Sequence, residues 1–130
     1  MKISILTENR TSKGKFLAEH GLSVFIEFND MNILFDTGQT DVYCHNASFM
    51  GVDLSKTDCI ILSHGHYDHC GGYVHLKKKK KYPVTYVREK AFERKLTRDG
   101  NSFREISIPW KYENYKDKIV FTDEKMQIAE

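Results

Sequence analysis

Hydrophobic and polar positions alternate from the start of the chain. Ile3 and Ile5 are set between polar neighbours over residues 2–7, the period of a half-buried strand. Residues 9–15 are polar and turn-like. Residues 22–28 predict a second strand with Val24, Ile26 and Phe28 on one face and Phe25 on the other. Asn29-Asp30 makes a tight connection to a third strand, Asn32-Ile33-Leu34-Phe35, so the pair reads as a hairpin. It ends at Asp36-Thr37-Gly38, where Gly38 permits a sharp exit from the sheet. Residues 40–50 predict a helix with Val42, Ala47 and Phe49 turned inward and Gly51 ending it. A turn at Asp53-Leu54-Ser55-Lys56 leads into a buried strand over 58–62. Gly71-Gly72 then lets the backbone pass close to the end of that strand before a helix over 73–78. Pro83 opens a strand over 84–87, followed by an amphipathic helix over 89–96 with Ala91, Phe92, Leu96 and the Lys95 stem inward. A loop containing Gly100 and two short strands, 103–108 and 119–122, complete a mixed α/β pattern without internal repeats.

The strongest chemical signal lies directly after the apolar run Cys59-Ile60-Ile61-Leu62. There His64-Gly65-His66-Tyr67-Asp68-His69 places four potential metal ligands in six residues. Imidazoles with a carboxylate suit a borderline divalent ion such as zinc, manganese or iron. His64 and His66 alternate, so they converge on one ion only if the loop curls. Asp68 and His69 then fall on the far side, placed for a second ion. A charge-rich surface loop is the competing reading, but packing gives no reason to concentrate these residues here. His20, His45 and His75 stand alone and carry no comparable signal.

The run His64-Gly65-His66-Tyr67-Asp68-His69 resembles the HxHxDH signature of the metallo-β-lactamase-fold hydrolases. Ile33-Leu34-Phe35-Asp36-Thr37-Gly38 resembles that family's strand ending in Asp-Thr-Gly, and Gly51-Val52-Asp53-Leu54-Ser55-Lys56-Thr57-Asp58 resembles the turn before its metal strand. Glu19-His20-Gly21-Leu22-Ser23 and Asp68-His69-Cys70-Gly71-Gly72 are similar to the 7,8-dihydropterin-6-methyl-4-(β-D-ribofuranosyl)-aminobenzene-5'-phosphate synthase-like subfamily. The resemblance implies an α/β (α+β) fold, the N-terminal half of an αββα sandwich, with helices on one face of a mixed sheet. It implies that His64 and His66 hold one ion and Asp68 and His69 a second, with zinc foremost and manganese or iron as alternatives. Asp68 would also orient the attacking water as base or proton carrier. Asp36 would brace the loop by hydrogen bonds. His20 and Asn9 would face the mouth and touch substrate, although His20 also reads as a surface residue beside a hairpin.

The family's later ligands find no match, because no histidine follows His75. Residues 1–130 are therefore expected to form one domain that stops before the second half. The sheet face carrying Val24, Ile26, Leu34 and Ile61 would then lack cover and favour self-association or a second-half polypeptide. The expected function is hydrolysis of a small-molecule ester, phosphoester or pterin-like substrate by metal-activated water, incomplete in this chain. The alternative is a catalytically inactive fragment or interaction module that pairs through the exposed face.

Composition narrows these readings little. Of 130 residues, 40% are hydrophobic and 29% charged, as in an ordinary globular domain. With 20 basic and 18 acidic residues the net charge is +2, so nucleic acid is not an expected partner. The five lysines 77–81 read as a solvated helix end, with a phosphate- or nucleic-acid-contacting patch as the sharper alternative. No run of about 18 apolar residues could span a bilayer, and the first residues read as a strand, not a signal peptide. Cys44, Cys59 and Cys70 include no CxxC pair, which points to free thiols in the cytoplasm. Cys70 reads as a small buried residue, with thiolate ligation as the minority reading. Trp110, Tyr112 and Tyr115 are expected to anchor an irregular segment on the core, or to line a substrate-facing loop.

Overall fold

The fold described here is a computed structural model covering residues 1–77 and 82–128. Its frame is a six-stranded sheet of β1 (Lys2–Thr7), β2 (Ser23–Phe28), β3 (Met31–Phe35), β4 (Cys59–Ile61), β5 (Val84–Val87) and β8 (Ile119–Phe121), in the order β1-β2-β3-β4-β5-β8. β6 (Leu96–Asp99) and β7 (Ser102–Glu105) form a separate antiparallel hairpin. Only β2 runs against the others: β1 and β3 are antiparallel to it, and β3, β4, β5 and β8 pair in parallel. The carboxyl ends of five strands therefore share one rim. The expected mixed α/β sheet is present.

The β2–β3 turn is a two-residue connection with both Asn29 (φ 46°) and Asp30 (φ 62°) left-handed. This is the geometry that matches strand twist and that Asn and Asp tolerate. The turn fixes the register, pairing Phe28 with Met31 and hence Phe25 with Leu34. Opposite residues share a face, so Phe25, Leu34, Ile60 and Thr85 line up on the covered side. Tyr43 and Ala47 of α1 (Val42–Met50) join Tyr73 and Leu76 in the core on this side. Leu34 is thus a core residue and not part of the bare face expected for it. The opposite face carries two apolar rows, Ile3-Ile26-Ile33-Cys59-Val84 and Ile5-Val24-Phe35-Ile61-Tyr86-Val120. Ile3 and Ile5 are 56% and 58% exposed there. The predicted apolar face exists, with Val24, Ile26 and Ile61 on it and Leu34 removed.

Helix α1 ends at Gly51 (φ 71°), as expected, but its rotation differs. Tyr43, Asn46 and Ala47 face inward, Val42 is half-buried and Phe49 is 52% exposed. A polar residue sets the rotation. Asn46 Nδ2 donates to the carbonyls of Leu6 (2.6 Å) and Leu17 (2.8 Å), and its Oδ1 accepts from the Leu17 amide (3.0 Å).

The helix expected over 89–96 is only a 3₁₀ turn, Glu89–Phe92, before β6. Lys95 explains the stop. Its ammonium donates to the carbonyls of Lys90 (3.0 Å), Ala91 (2.8 Å) and Glu93 (2.8 Å), satisfying acceptors that a further helical turn would use. The loop containing Gly100 becomes the β6–β7 turn, with Gly100 at φ 60°, and β7 is shorter than the expected 103–108.

The helix expected over 73–78 begins earlier, as α2 (Tyr67–Cys70) continuing into a 3₁₀ segment, Gly71–His75. Gly71 remains right-handed helical, so the glycine pair serves close approach, not a turn. A Cβ on Gly72 would lie 2.0 Å from the Thr37 carbonyl oxygen. Residue 78 and most of the lysine run lie outside the described residues.

The irregular segment after β7 is anchored by aromatic packing. Trp110 stacks on Tyr73 (centroids 4.5 Å apart, 20° between planes) and Tyr115 meets both edge-on. Tyr73 is fully buried, its hydroxyl 2.8 Å from Thr85 Oγ1. Among the described residues no helix is long and apolar enough to cross a membrane.

Candidate metal centre

The rim where the strand ends meet carries the histidine loop. β4 delivers Ser63 and His64 beside the end of β3, where the Asp36 backbone turns into the left-handed region (φ 53°). Few non-glycine residues adopt that conformation, and it recurs at functional sites. It is held by bonds on every side. The Asp36 amide donates to the Ile61 carbonyl (2.9 Å), and the Asp36 carbonyl accepts from Ser23 Oγ (2.9 Å). The buried carboxylate then faces the loop. Oδ1 accepts from the Ser63 amide (2.8 Å), while Oδ2 accepts from Ser63 Oγ (2.6 Å) and lies 2.8 Å from His69 Nδ1. The neighbouring Thr37 binds the same loop, its amide and hydroxyl both donating to the His69 carbonyl (2.8 and 3.1 Å).

The loop curls as α2, which brings its rings together. His64 sits 4.4 Å from His66 and 4.2 Å from His69, centroid to centroid. Asp68 is buried, with Oδ2 3.6 Å from His69 Nε2 and 3.3 Å from His20 Nε2. Two glycines make this possible. A Cβ on Gly65 would lie 1.8 Å from the Ala91 carbonyl oxygen, and one on Gly21 (φ 131°) would lie 2.0 Å from the Asp68 carbonyl oxygen. Asn9 Oδ1 accepts from the Gly21 amide (3.1 Å), so Asn9 holds the segment that carries His20. All the residues expected at the site, His64, His66, Asp68, His69, Asp36, His20 and Asn9, thus lie in one neighbourhood on the rim.

The electrostatics divide the histidines. Burial, and then the charges of His69 and His66, lower the pKa of His64. The hydrogen bond to Asp36 raises that of His69. A lowered imidazole pKa favours the neutral ring, the form that ligates a metal. Among the described residues, no three His, Cys, Asp or Glu side chains form a group that could hold a metal ion as they stand. The donors nevertheless fit a divalent ion in kind: borderline nitrogens with one carboxylate, the Nδ1 atoms of His64 and His69 engaged and, among the described residues, their Nε2 atoms beyond hydrogen-bond distance of a partner, with Asp68 Oδ2 3.6 Å from that of His69.

Two residues at the site, Ser63 and Arg104, escaped the sequence reading, as did the bond that the expected aromatic anchor Trp110 makes to the loop. Ser63 lies between Asp36 and His64; a hydroxyl just before the first histidine was its only signal. Arg104 of β7 lies 5.7 Å over the Tyr67 ring, and the Tyr67 amide donates to the Ile106 carbonyl (3.1 Å), tying the hairpin to the loop. Trp110 Nε1 donates to the Cys70 carbonyl (2.8 Å). No spacing pattern announces contacts made from so far along the chain.

Cys70 is buried with Sγ donating to the His64 carbonyl (3.0 Å), and burial pushes its pKa far above the ordinary thiol value. Burial likewise raises Cys59 to about 11. The thiolate is the reactive form, so at pH 8 only about one Cys59 in a thousand is ionised. Cys59 and Cys70 should therefore react with Ellman's reagent at least about a hundredfold more slowly in native buffer than in guanidinium. Rapid native labelling of all three thiols would contradict this burial.

Residues 18–130 match the family described as the metallo-β-lactamase superfamily. The chain belongs to that superfamily. It is 34% identical over 92 residues to the 7,8-dihydropterin-6-methyl-4-(β-D-ribofuranosyl)-aminobenzene-5'-phosphate synthase of Methanocaldococcus jannaschii, covering 65% of this chain and 31% of that protein. An uncharacterized protein of the same organism is 46% identical over 70 residues, 54% of this chain and 27% of its own length. Among solved structures, a metal-dependent hydrolase of the β-lactamase superfamily superposes with a TM-score of 0.68 and 27% identity, over 98% of this chain and 43% of that one. The chain thus spans about a third or less of the curated relatives it matches and under half of the solved hydrolase.

Proposed function

We propose that this chain carries the first ligand loop of a metal-dependent hydrolase acting on a small ester or phosphoester. One observation supports it most: a single buried carboxylate, Asp36, binds Ser63 and His69 and so sets the loop that presents His64, His66, Asp68 and His69. His64 and His66 would hold one divalent ion, and Asp68 and His69 a second, zinc being the best match to the donors with manganese or iron next. Such an ion supplies a water acidified towards neutral pH and a positive centre for the developing oxyanion.

The chain's own residues supply position and proton handling. Asp68 Oδ2, between His69 and His20, is placed to accept a proton from a water beside the rings. His20 stands largely exposed at the mouth, where it would meet substrate, and Asn9 secures its backbone. Similarity to the dihydropterin phosphate synthase favours a phosphorylated, pterin-like small molecule over nucleic acid. Three free thiols fit a reducing compartment such as the cytoplasm.

A second reading rests on the two apolar rows, which suit pairing with a second-half polypeptide or a second copy of the chain. In that reading this chain alone is inactive. The direct test of the first reading is zinc and manganese titration of the metal-free protein by calorimetry. Wild type should bind, and His64→Ala/His66→Ala should lose at least about tenfold in affinity. Equal binding by the double variant, or no binding by wild type, would overturn the ligand assignment.

A further inference from the structure

We infer that Ser63 is a positioning residue that sets which ring nitrogen of His64 carries the proton. Ser63 Oγ lies 2.6 Å from Asp36 Oδ2 and 2.8 Å from His64 Nδ1. A hydroxyl has one proton to donate, and an ionised carboxylate only accepts. The Ser63 proton therefore goes to Asp36, leaving Ser63 Oγ to accept. The only group that can donate to it across the second contact is His64 Nδ1–H. The neutral ring is then the Nδ1–H tautomer, with the Nε2 lone pair free.

His69 reaches the same state directly, its Nδ1–H donating to Asp36 Oδ2 at 2.8 Å. One carboxylate thus fixes two rings, one by contact and one through the serine. The carboxylate is well placed to command both. It is 1% exposed, and its other oxygen is engaged by the Ser63 amide, so its orientation has no freedom. His66 has no share in this network, and Asp36 leaves its tautomer open. The two rings with prescribed tautomers lie 4.2 Å apart, centroid to centroid, and belong one to each expected ion pair. Which nitrogen of a ligating histidine faces the metal is set by the bond its other nitrogen makes.

The inference gains its use from the proposed metal centre, but its test does not need one. In metal-free protein labelled with ¹⁵N at pH 8, long-range ¹H–¹⁵N correlation reads each histidine tautomer directly. Wild-type His64 and His69 should both appear as Nδ1–H. Ser63→Ala keeps the Ser63 amide bond to Asp36 but removes the relay. His64 should then shift to a mixture or to Nε2–H, while His69 is unchanged. Ser63→Thr should restore the Nδ1–H form. Zinc affinity should fall about tenfold or more in Ser63→Ala and return to within about threefold in Ser63→Thr.

A wild-type His64 found as Nε2–H would overturn the inference without any variant, whatever the protein's metal affinity. So would an unchanged His64 tautomer in folded Ser63→Ala. Conversely, absence of zinc binding with the tautomers as expected would defeat the metal-centre reading and leave the relay standing.

Discussion

Replacing Asp36 by alanine is expected to destabilise the protein by about 3–5 kcal/mol, because three donors lose one ionised acceptor. A hydrogen bond to a charged group contributes about 1.5–3 kcal/mol net. The loss is less than the sum because Ser63 lies at the surface, where water can replace part of it. That cost is a large share of the roughly 5–15 kcal/mol that holds a domain together. Two further variants separate the carboxylate from the backbone. Asp36→Gly loses the same bonds but accepts φ 53° without strain, so it should be more stable than Asp36→Ala by about 1 kcal/mol. Asp36→Asn keeps the shape but turns an amide towards a donor, and should fall between wild type and alanine. Urea unfolding followed by the fluorescence of Trp110, the one tryptophan, gives all four stabilities. A wild-type midpoint for Asp36→Ala would mean that the carboxylate does not hold the loop.

The second large effect is expected at Gly65. A Cβ there would lie 1.8 Å from the carbonyl oxygen and 2.6 Å from the carbonyl carbon of Ala91, both backbone atoms that cannot rotate away. The same carbonyl accepts from Lys95 Nζ at 2.8 Å, so displacing it also disturbs the bonds that end the 3₁₀ turn. Overpacking ordinarily costs about 1–3 kcal/mol, occasionally more. A clash with three atoms of the Ala91 backbone puts Gly65→Ala at about 3–4 kcal/mol. Gly14→Ala is the matched control: its Cβ would meet nothing within 4 Å. It should stay within about 0.5 kcal/mol of wild type. If both alanines have the same small effect, the histidine loop does not pack on Ala91 as described.

How much of this was legible in the sequence depended on whether a feature is local. The six strands of the main sheet, the Asn29-Asp30 turn and the Gly51 helix end depend on residues next to one another, and they were read correctly, whereas β6 was missed and β7 is shorter than expected. The histidine cluster was legible because its residues are adjacent and their chemistry has few other uses. Leu34 was misplaced because a face assignment needs the pairing register. A two-residue turn put Leu34 opposite Phe25, although periodicity within β2 had separated Phe25 from Val24 correctly. The rotation of α1 was missed because apolar counting cannot see that Asn46 is satisfied by the carbonyls of Leu6 and Leu17. Residues 89–96 do carry a helical apolar period. It is overridden by a lysine side chain that takes the carbonyls the helix would need. The brace was legible in Asp36 through family resemblance, whereas Ser63 had no pattern of its own.

The brace also sets an order of events in folding. The four expected ligands lie within six residues, yet the carboxylate that orients them comes from 27 residues before Ser63 and 33 before His69. Closing such loops must precede the contacts that reward them, and parallel pairing of β3 with β4 is a non-local step of that kind. Before the two strands join, the histidine loop has its donor atoms but no fixed ring orientation. If the loop holds the proposed ion, an ion present during refolding would meet unoriented donors first and oriented ones only when the sheet closes.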